Sequence, residues 1–221
     1  MKTSTRKTDF SPVFASVGRS VIALCVICVA QLSMAQLSSA PQMQSEELRI
    51  TYIRPDVDLR DYNQFVLKSL DLEDTRIIPP PWAEGEDADP RTWQLSDGNR
   101  EFLKAAFQSA MGSGLEESGE FNVVDQAFRG SLQLEIKLVS LAPYARRGEQ
   151  VTTKGYGELA FEAALRDARS GELLALFEGT QQVGKEYQEN TDFNKGHNFA
   201  SLFRQWGRNV SERMSAVHEM K

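Results

Sequence analysis

Two long stretches of the chain carry apolar side chains at three- and four-residue spacing, which predicts two amphipathic helices. The first is expected to begin at Ser96 and Asp97, whose side-chain oxygens can cap free backbone donors, and to end where Gly112, Gly114 and Gly119 loosen the chain. The second is expected over residues 198–217. The apolar stripes are Phe102, Leu103, Ala106, Phe107, Ala110, Met111 and Leu115, and then Phe199, Leu202, Phe203, Trp206, Val210, Met214 and Val217.

Strands are predicted by a different pattern, in which every second residue is apolar. Residues 131–141 alternate strictly, which is typical of a sheet with one dry and one wet face and predicts antiparallel pairing. Shorter strands are expected at residues 64–72, with Phe65, Leu67 and Leu70 in the core, and at residues 121–125. In the long strand the apolar face consists of Leu132, Leu134, Ile136 and Leu138, and the polar face of Gln133, Glu135 and Lys137.

A hairpin is predicted over residues 156–183, because two strand-like runs flank a turn in which Gly171 can adopt a positive φ. If the loop has three residues, Leu174 and Leu176 face away from the core. The core face is then shared by Phe161, Ala163, Leu165, Leu173, Ala175 and Phe177. The order of elements predicts an α+β fold, a two-layer sandwich of a mostly antiparallel sheet with two main helices on one face.

The N-terminus has the three parts of a secretory signal: a basic segment, the apolar run at residues 21–30, and small residues at Ser33 and Ala35. Cleavage is expected after Ala35, with a second small-residue site at Ala40. An uncleaved anchor is the alternative, but about 20 apolar residues are needed to span a membrane. The expected organisation is a signal peptide at 1–35, a disordered tether at 36–47 and a single α+β domain at 48–221.

Cysteine and charge restrict the compartment and the partners. Cys25 and Cys28 both lie in the signal, and neither follows a small residue, so no lipid anchor is expected. Removing the signal takes away four of 25 basic and one of 31 acidic residues, leaving 21 against 30. An acidic chain is a poor partner for nucleic acid. The prediction is an exported, soluble protein of the periplasm, free or loosely associated with the envelope, with no transmembrane span after cleavage.

No residue pattern indicates catalysis or a metal. The mature chain has two histidines, His197 near a helix start and His218 near the C-terminus, and both are expected on loops or at the surface. The acidic cluster Glu84, Glu86, Asp87 and Asp89 lacks the ligand spacing of a calcium loop, and a solvated loop is favoured. No catalytic residue, cofactor or metal site is therefore predicted.

The proline loop, Pro79, Pro80, Pro81 and Trp82, is the candidate partner-binding site. A polyproline segment is extended before it binds, and an indole beside it can anchor an interface. In the simpler interpretation, Trp82 folds back with Trp93 to cover the sheet. Trp206, by its helical spacing, is expected in the core.

The order of elements, with the turn at residues 165–174 and a Trp in the closing helix, resembles a known family. Its other carrying segments are residues 54–58 leading into Tyr62, residues 121–125 and residues 203–206. The chain is similar to the uncharacterised bacterial envelope proteins known as domain of unknown function family 3313. The resemblance implies a periplasmic address and a fold, and it supplies no catalytic residues. The chain lacks the lipid-attachment cysteine of the lipoprotein members.

These observations favour a non-catalytic periplasmic binding or assembly-adaptor domain whose partner is another envelope protein or component. One alternative is a carrier of a small ligand or lipid, with a pocket between sheet and helices. A hydrolase built on carboxylates such as Glu158 and Glu162 is the weakest of the alternatives, because an acidic protein brings many carboxylate pairs together by chance.

Overall fold

The computed structural model of this chain describes residues 47–85, 89 and 93–219. The expected signal, its cleavage site at Ala35 and the tether as far as residue 46 lie outside the described residues. Glu86 and Asp87 of the acidic cluster also lie outside them.

The described residues form a large sheet, a small sheet and two long helices, in the order expected of an α+β sandwich. The helices are α1 (Asp97–Glu116) and α2 (Asp192–Glu219), and a 3₁₀ turn spans Leu59–Asp61. The strands are β1 (Glu47–Ile53), β2 (Gln64–Leu67), β3 (Arg76–Ile77), β4 (Asn122–Val123), β5 (Ser131–Pro143), β6 (Thr152–Lys154), β7 (Gly157–Asp167), β8 (Leu173–Val183) and β9 (Tyr187–Glu189).

The large sheet has the strand order β1-β8-β7-β5-β2-β4, with β3 also paired to β5, and β6 pairs with β9 separately. β1, β8, β7 and β5 are antiparallel neighbours, whereas β2 runs parallel to both β5 and β4. The prediction of antiparallel pairing for β5 is thus correct on one side and wrong on the other. Alternation records that one face is dry, and it carries no information about strand direction.

The predicted hairpin is present, with β7 and β8 antiparallel and Gly171 at φ 75° in the turn. Ala163 pairs with Phe177 and Leu165 with Ala175, as the expected core face required. Leu174, however, is buried, and its predicted outward orientation is wrong. The register shifts beside Arg166, and a bulge of this kind gives the strand an extra residue that turns one side chain to the other face.

Helix α1 begins at the predicted cap, where the Ser96 hydroxyl accepts the Asn99 amide. It continues through Gly112 and Gly114 and ends at Glu116, before Gly119, within the stretch where the glycines predicted its end. Phe102 was placed in the buried stripe but is 42% exposed. Its neighbour Leu103 occupies the core position. Adjacent helical residues point about 100° apart, so only one of this pair can face the sheet.

Both helices lie on one face of the sheet and share a single core with its inward side chains. Phe65, Leu67 and Leu70 are buried as predicted, although the regular strand ends at Leu67. Trp206 is buried on the inner face of α2, with its ring centroid 4.6 Å from that of Phe161. Helix α2 starts at Asp192, six residues before the predicted start. No helix in the described part of the chain is long and apolar enough to cross a membrane.

Candidate functional site

An apolar cleft of about 480 Å³ opens between the sheet and the C-terminal half of α2. Its floor is formed by side chains of β5, β7 and β8, among them Ile136, Ala163 and Phe177. One wall is Trp206 and the turns of α2 that follow it. The other wall is the edge strand β1.

Strand β1 presents apolar side chains to this cleft. Leu48, Ile50 and Ile53 line it and remain 48%, 51% and 52% exposed. Ile50 pairs with Phe177 and Ile53 with Ala175, and the register shifts at Thr51 between them. The extra residue at the bulge explains why Ile53, three positions after Ile50, faces the same side.

The cleft exists because two helices cannot cover this sheet. A helix with its side chains is about 10 Å wide, so two helices cover roughly four strands at about 4.8 Å per strand. The large sheet has six strands along its main path, and α2 reaches as far as β8, where Trp206 contacts Gln181. The edge strand β1 and the part of β8 beside it are therefore left uncovered.

Polar groups stand at the border of the cleft. The Trp206 indole donates a hydrogen bond to the Gln181 side-chain oxygen, which fixes both side chains. Thr180 and Asn209 also line it. Arg213 is the one charged side chain among the described residues that line the cleft, and it is exposed. The arrangement is a long apolar surface with a cation at one border.

The proline loop lies beside the end of β5. Pro80 is buried, Pro81 is exposed, and the Ala83 amide donates to the Pro80 carbonyl at 2.9 Å, which closes a turn. Trp82 is 45% exposed, and the Arg146 guanidinium lies 5.4 Å from its ring centroid. A cation over an indole ring is a stabilising contact. Trp82 thus packs partly on its own domain and keeps one face accessible, whereas Trp93 is buried.

The two histidines have different surroundings. His197 is exposed on α2, as expected. His218 is 19% exposed rather than a surface residue, because its ring packs on Phe121 and its Nδ1 lies 2.8 Å from a Glu120 oxygen. Ser215 donates to the other Glu120 oxygen, and these two contacts, with the serine contact the larger effect, lower the Glu120 pKa.

This cluster does not resemble a nucleophile with its base. The Glu120 carboxylate lies between Ser215 and His218. The imidazole therefore does not contact the serine hydroxyl, as the base of a serine–histidine pair must. Glu158 and Glu162 are four residues apart on β7, about 13 Å along an extended strand, which exceeds the spacing of glycosidase carboxylates. Among the described residues no three acidic, histidine or cysteine side chains are grouped as metal ligands.

Two of the segments that carry the family resemblance, residues 54–62 and 165–174, meet at the β7–β8 turn. The Arg54 side chain forms an ion pair with Glu172, and the Arg54 backbone amide donates to the Leu174 carbonyl at 2.8 Å. The Tyr62 hydroxyl donates to Asp167 at 3.0 Å, and the other Asp167 oxygen accepts the Ser170 amide at 2.7 Å. That amide contact is the largest effect that lowers the Asp167 pKa. Burial, and then the contact with Asp167, raise the pKa of Tyr62 to about 12. These residues fasten the turn to the preceding chain.

The fold and the cleft define an α+β sandwich with an uncovered apolar edge. The family described as protein of unknown function (DUF3313) matches residues 32–210, and the chain belongs to that family. No curated protein matches this chain.

Several solved structures resemble it weakly. A PelC dodecamer from Paraburkholderia phytofirmans is 11% identical, with 73% of this chain and 96% of that chain covered and a TM-score of 0.36. A DUF330 protein from Xanthomonas campestris is 16% identical, with coverages of 78% and 93% and a TM-score of 0.42. A DUF4136 family protein from Bacteroides thetaiotaomicron is 11% identical, with coverages of 79% and 98% and a TM-score of 0.33. At these scores the likenesses decide nothing about ligands or partners.

Proposed function

We propose that this protein is an exported, non-catalytic binding domain of the bacterial envelope that carries a small amphiphilic molecule in its apolar cleft. The observation that supports the proposal is the cleft itself, because its volume of about 480 Å³ is within the range of small-molecule sites. Apolar lining with a few polar groups is also typical of such sites. The cleft favours the carrier over the adaptor that the sequence alone favoured.

The lining indicates the chemistry of the ligand. The apolar part of the ligand would lie along Ile50, Ile53 and Phe177, where the burial of apolar surface drives binding. A polar or anionic head would lie near Arg213, where a charge remains solvated. Acyl chains with a carboxylate or phosphate head have this composition.

The proposal includes the organisation expected from the sequence. Export would use the signal at residues 1–35, with cleavage after Ala35 and no lipid anchor. The tether would precede a single domain at residues 48–221 that acts in the periplasm without a cofactor. The Ser215, Glu120 and His218 cluster, in which the carboxylate separates the hydroxyl from the imidazole, supports the non-catalytic part.

The test uses the full chain, exported by its own signal, and a fluorescent fatty acid as the probe. The wild type is expected to bind the probe, and Ile50→Glu with Ile53→Glu should weaken binding at least about tenfold, because a carboxylate then lies against the acyl chain. Tyr52→Glu is the matched control, since Tyr52 is also exposed on β1 but does not line the cleft. The control should bind as the wild type does.

Mass spectrometry of the purified protein provides an independent measurement. A lipid-sized molecule retained by the wild type and lost from the Ile50 and Ile53 variant supports the carrier. Equal probe binding by all three proteins, or no binding by the wild type, would contradict it.

A second candidate function is the adaptor, with Pro79, Pro80, Pro81 and Trp82 as its partner-binding site. It is favoured by the 45% exposure of Trp82, which is high for a residue of this size held by its own domain. Co-purification of a stoichiometric envelope protein, lost on Trp82→Ala, would support this candidate.

A further inference from the structure

A second cavity, of about 320 Å³, lies where β5 ends and both helices begin. Pro143 and the loop residues Arg146 and Arg147 line one side, and Lys195 of α2 lines another. Asn99, in the first turn of α1, also borders it. We call it the cationic pocket. Lys195 and Val210, which borders the apolar cleft, are about 22 Å apart along α2, so the two sites are separate.

Both α1 and α2 begin beside this pocket, so the N-terminus of each helix faces it. Phe107 contacts Phe203 near the middle of each helix, with ring centroids 5.3 Å apart, and Phe102 lies against Gly196 near both helix starts. The helices are therefore parallel, and their N-termini lie together. Each N-terminus carries a partial positive charge, which Asp97 and Asp192 in the two first turns partly offset.

Lys195 occupies a position that is unfavourable for a cation. It is largely desolvated, it lies in the first turn of a helix, and it is close to Arg147. Burial is the largest cause of its lowered pKa, Arg147 lowers that pKa further, and Asp192 opposes both. Its ammonium lies 5.1 Å from the Tyr156 ring centroid. Residues that break local rules in this way are characteristic of binding sites.

The charge of the lining contrasts with that of the whole protein. The chain has 31 acidic and 25 basic residues, yet the charged side chains that line the pocket, among the residues described, are the cations Arg146, Arg147 and Lys195. Three charged side chains taken at random from a chain of this composition would usually include a carboxylate.

The loop that carries the two arginines is held in place. The Arg146 amide donates to the Glu149 carboxylate at 2.9 Å, and the Asn190 side chain donates to the Arg146 carbonyl at 2.8 Å. The Arg146 guanidinium is also held over Trp82. A site that is ordered before binding loses less entropy when its ligand arrives.

We propose that the cationic pocket binds a phosphate group, either of a small phosphorylated molecule or of a phospholipid headgroup. Arginine presents a planar array of donors that matches phosphate oxygens, and lysine adds a point charge. A phosphate monoester carries close to two negative charges and a phosphodiester one, and both present more acceptor oxygens to the pocket's cations than a carboxylate does. The proposal does not depend on the apolar cleft.

The first arm of the test titrates the full-length exported protein with glycerol 3-phosphate, followed by amide chemical shifts. Shifts are expected at Lys195 and Arg147, and Arg147→Gln with Lys195→Gln should weaken binding at least about tenfold, since two charge-assisted contacts are lost. The matched control is Arg129→Gln with Arg169→Gln. It changes net charge equally, and both residues are exposed near the opposite end of β5.

The second arm measures flotation with phosphatidylglycerol vesicles, with phosphatidylcholine vesicles as the reference. A loss of glycerol 3-phosphate binding in the pocket variant, but not in the control, supports a soluble ligand. A loss confined to phosphatidylglycerol vesicles supports a headgroup. Equal behaviour of wild type, pocket variant and control in both arms overturns the proposal.

A third measurement needs no variant and therefore holds even if the pocket variant fails to fold. Lysine acylation of the wild type, read by mass spectrometry, should be slowed at Lys195 by glycerol 3-phosphate and unchanged at Lys104 of α1, whose side chain is 41% exposed. An unchanged acylation rate at Lys195 would also overturn the proposal. Probe binding in the apolar cleft is measured separately, so either proposal can fail alone.

Discussion

Gly207 of α2 lies against Leu115 of α1 so closely that a Cβ at position 207 would come within 2.8 Å of the Leu115 amide nitrogen and nearer still to the Met111 carbonyl. Gly114 meets α2 in the same way, where a Cβ would lie 3.0 Å from the Arg208 amide nitrogen. The two helix backbones are therefore in direct contact, and the neighbouring atoms are main chain, which cannot move aside as a side chain can.

We predict that Gly207→Ala lowers the free energy of unfolding by about 2 to 4 kcal/mol, because the added methyl group must force the helices apart. Chemical denaturation followed by circular dichroism measures the change. Gly112→Ala is the matched control: it lies in α1, and a Cβ there meets nothing within 4 Å. It should raise stability by up to about 1 kcal/mol, since alanine is the better helix former. Equal effects at the two positions would contradict the close contact.

Trp82 and Trp206 should respond differently to truncation. Trp206→Ala removes a buried ring that packs on Phe161, and a loss of about 3 to 5 kcal/mol is expected. Trp82→Ala removes a half-exposed ring and one cation contact, so a loss of about 1 kcal/mol is expected. Thermal and denaturant unfolding of both variants measures this. A Trp206 variant with an unchanged transition would contradict the orientation of α2.

Tyr62→Phe should lower stability by about 1 to 2 kcal/mol at neutral pH, because the hydroxyl no longer donates to Asp167. Folding raises the Tyr62 pKa from 10.0 to about 12, so this stabilisation is complete below about pH 10 and is lost as pH rises towards 12. Unfolding free energies of wild type and variant should therefore converge over that interval. Tyr187→Phe, at a side chain 77% exposed, is the control and should change stability by less than about 0.5 kcal/mol.

A reporter fused after residues 1–47 should reach the periplasm as a shortened product, whereas a fusion that begins at residue 36 should stay in the cytoplasm. Mass spectrometry of the product locates the cleavage: a start at Gln36 indicates Ala35, and a start at Pro41 indicates Ala40. A mature product that keeps residues 1–35 would contradict the signal assignment.

Much of the fold could be predicted because periodicity reports local environment. The stripe from Leu103 to Leu115, the alternation of β5 and the glycine turn at Gly171 each depend on near neighbours in the chain. The exposed position of Phe102 and the inward turn of Leu174 could not be predicted. The first depends on which of two adjacent residues faces the sheet, and the second on a bulge.

Neither candidate site could be predicted from the sequence. The apolar cleft is the strip of sheet that two helices leave uncovered, so it depends on strand order, which no local pattern records. The sequence pattern does not predict β1, although Leu48, Ile50 and Tyr52 alternate, because the strand is irregular at Thr51 and Ile53 breaks the alternation. The cationic pocket joins Arg147 and Lys195, which are far apart in the chain and meet where β6 pairs with β9 and Asn190 contacts the Arg146 carbonyl.

Parallel helices also determine how late this molecule can complete its core. The chain leaves α1 at one end and must return across β5, β7 and β8 before α2 can lie beside it. The contact between Phe107 and Phe203 thus closes a loop of roughly a hundred residues, and folds dominated by such contacts form slowly, in milliseconds to seconds. During synthesis from the N-terminus, the part of the sheet that α2 covers stays exposed until that helix emerges. The nascent chain therefore needs protection from aggregation, by chaperones or by delayed folding, for as long as α2 is incomplete.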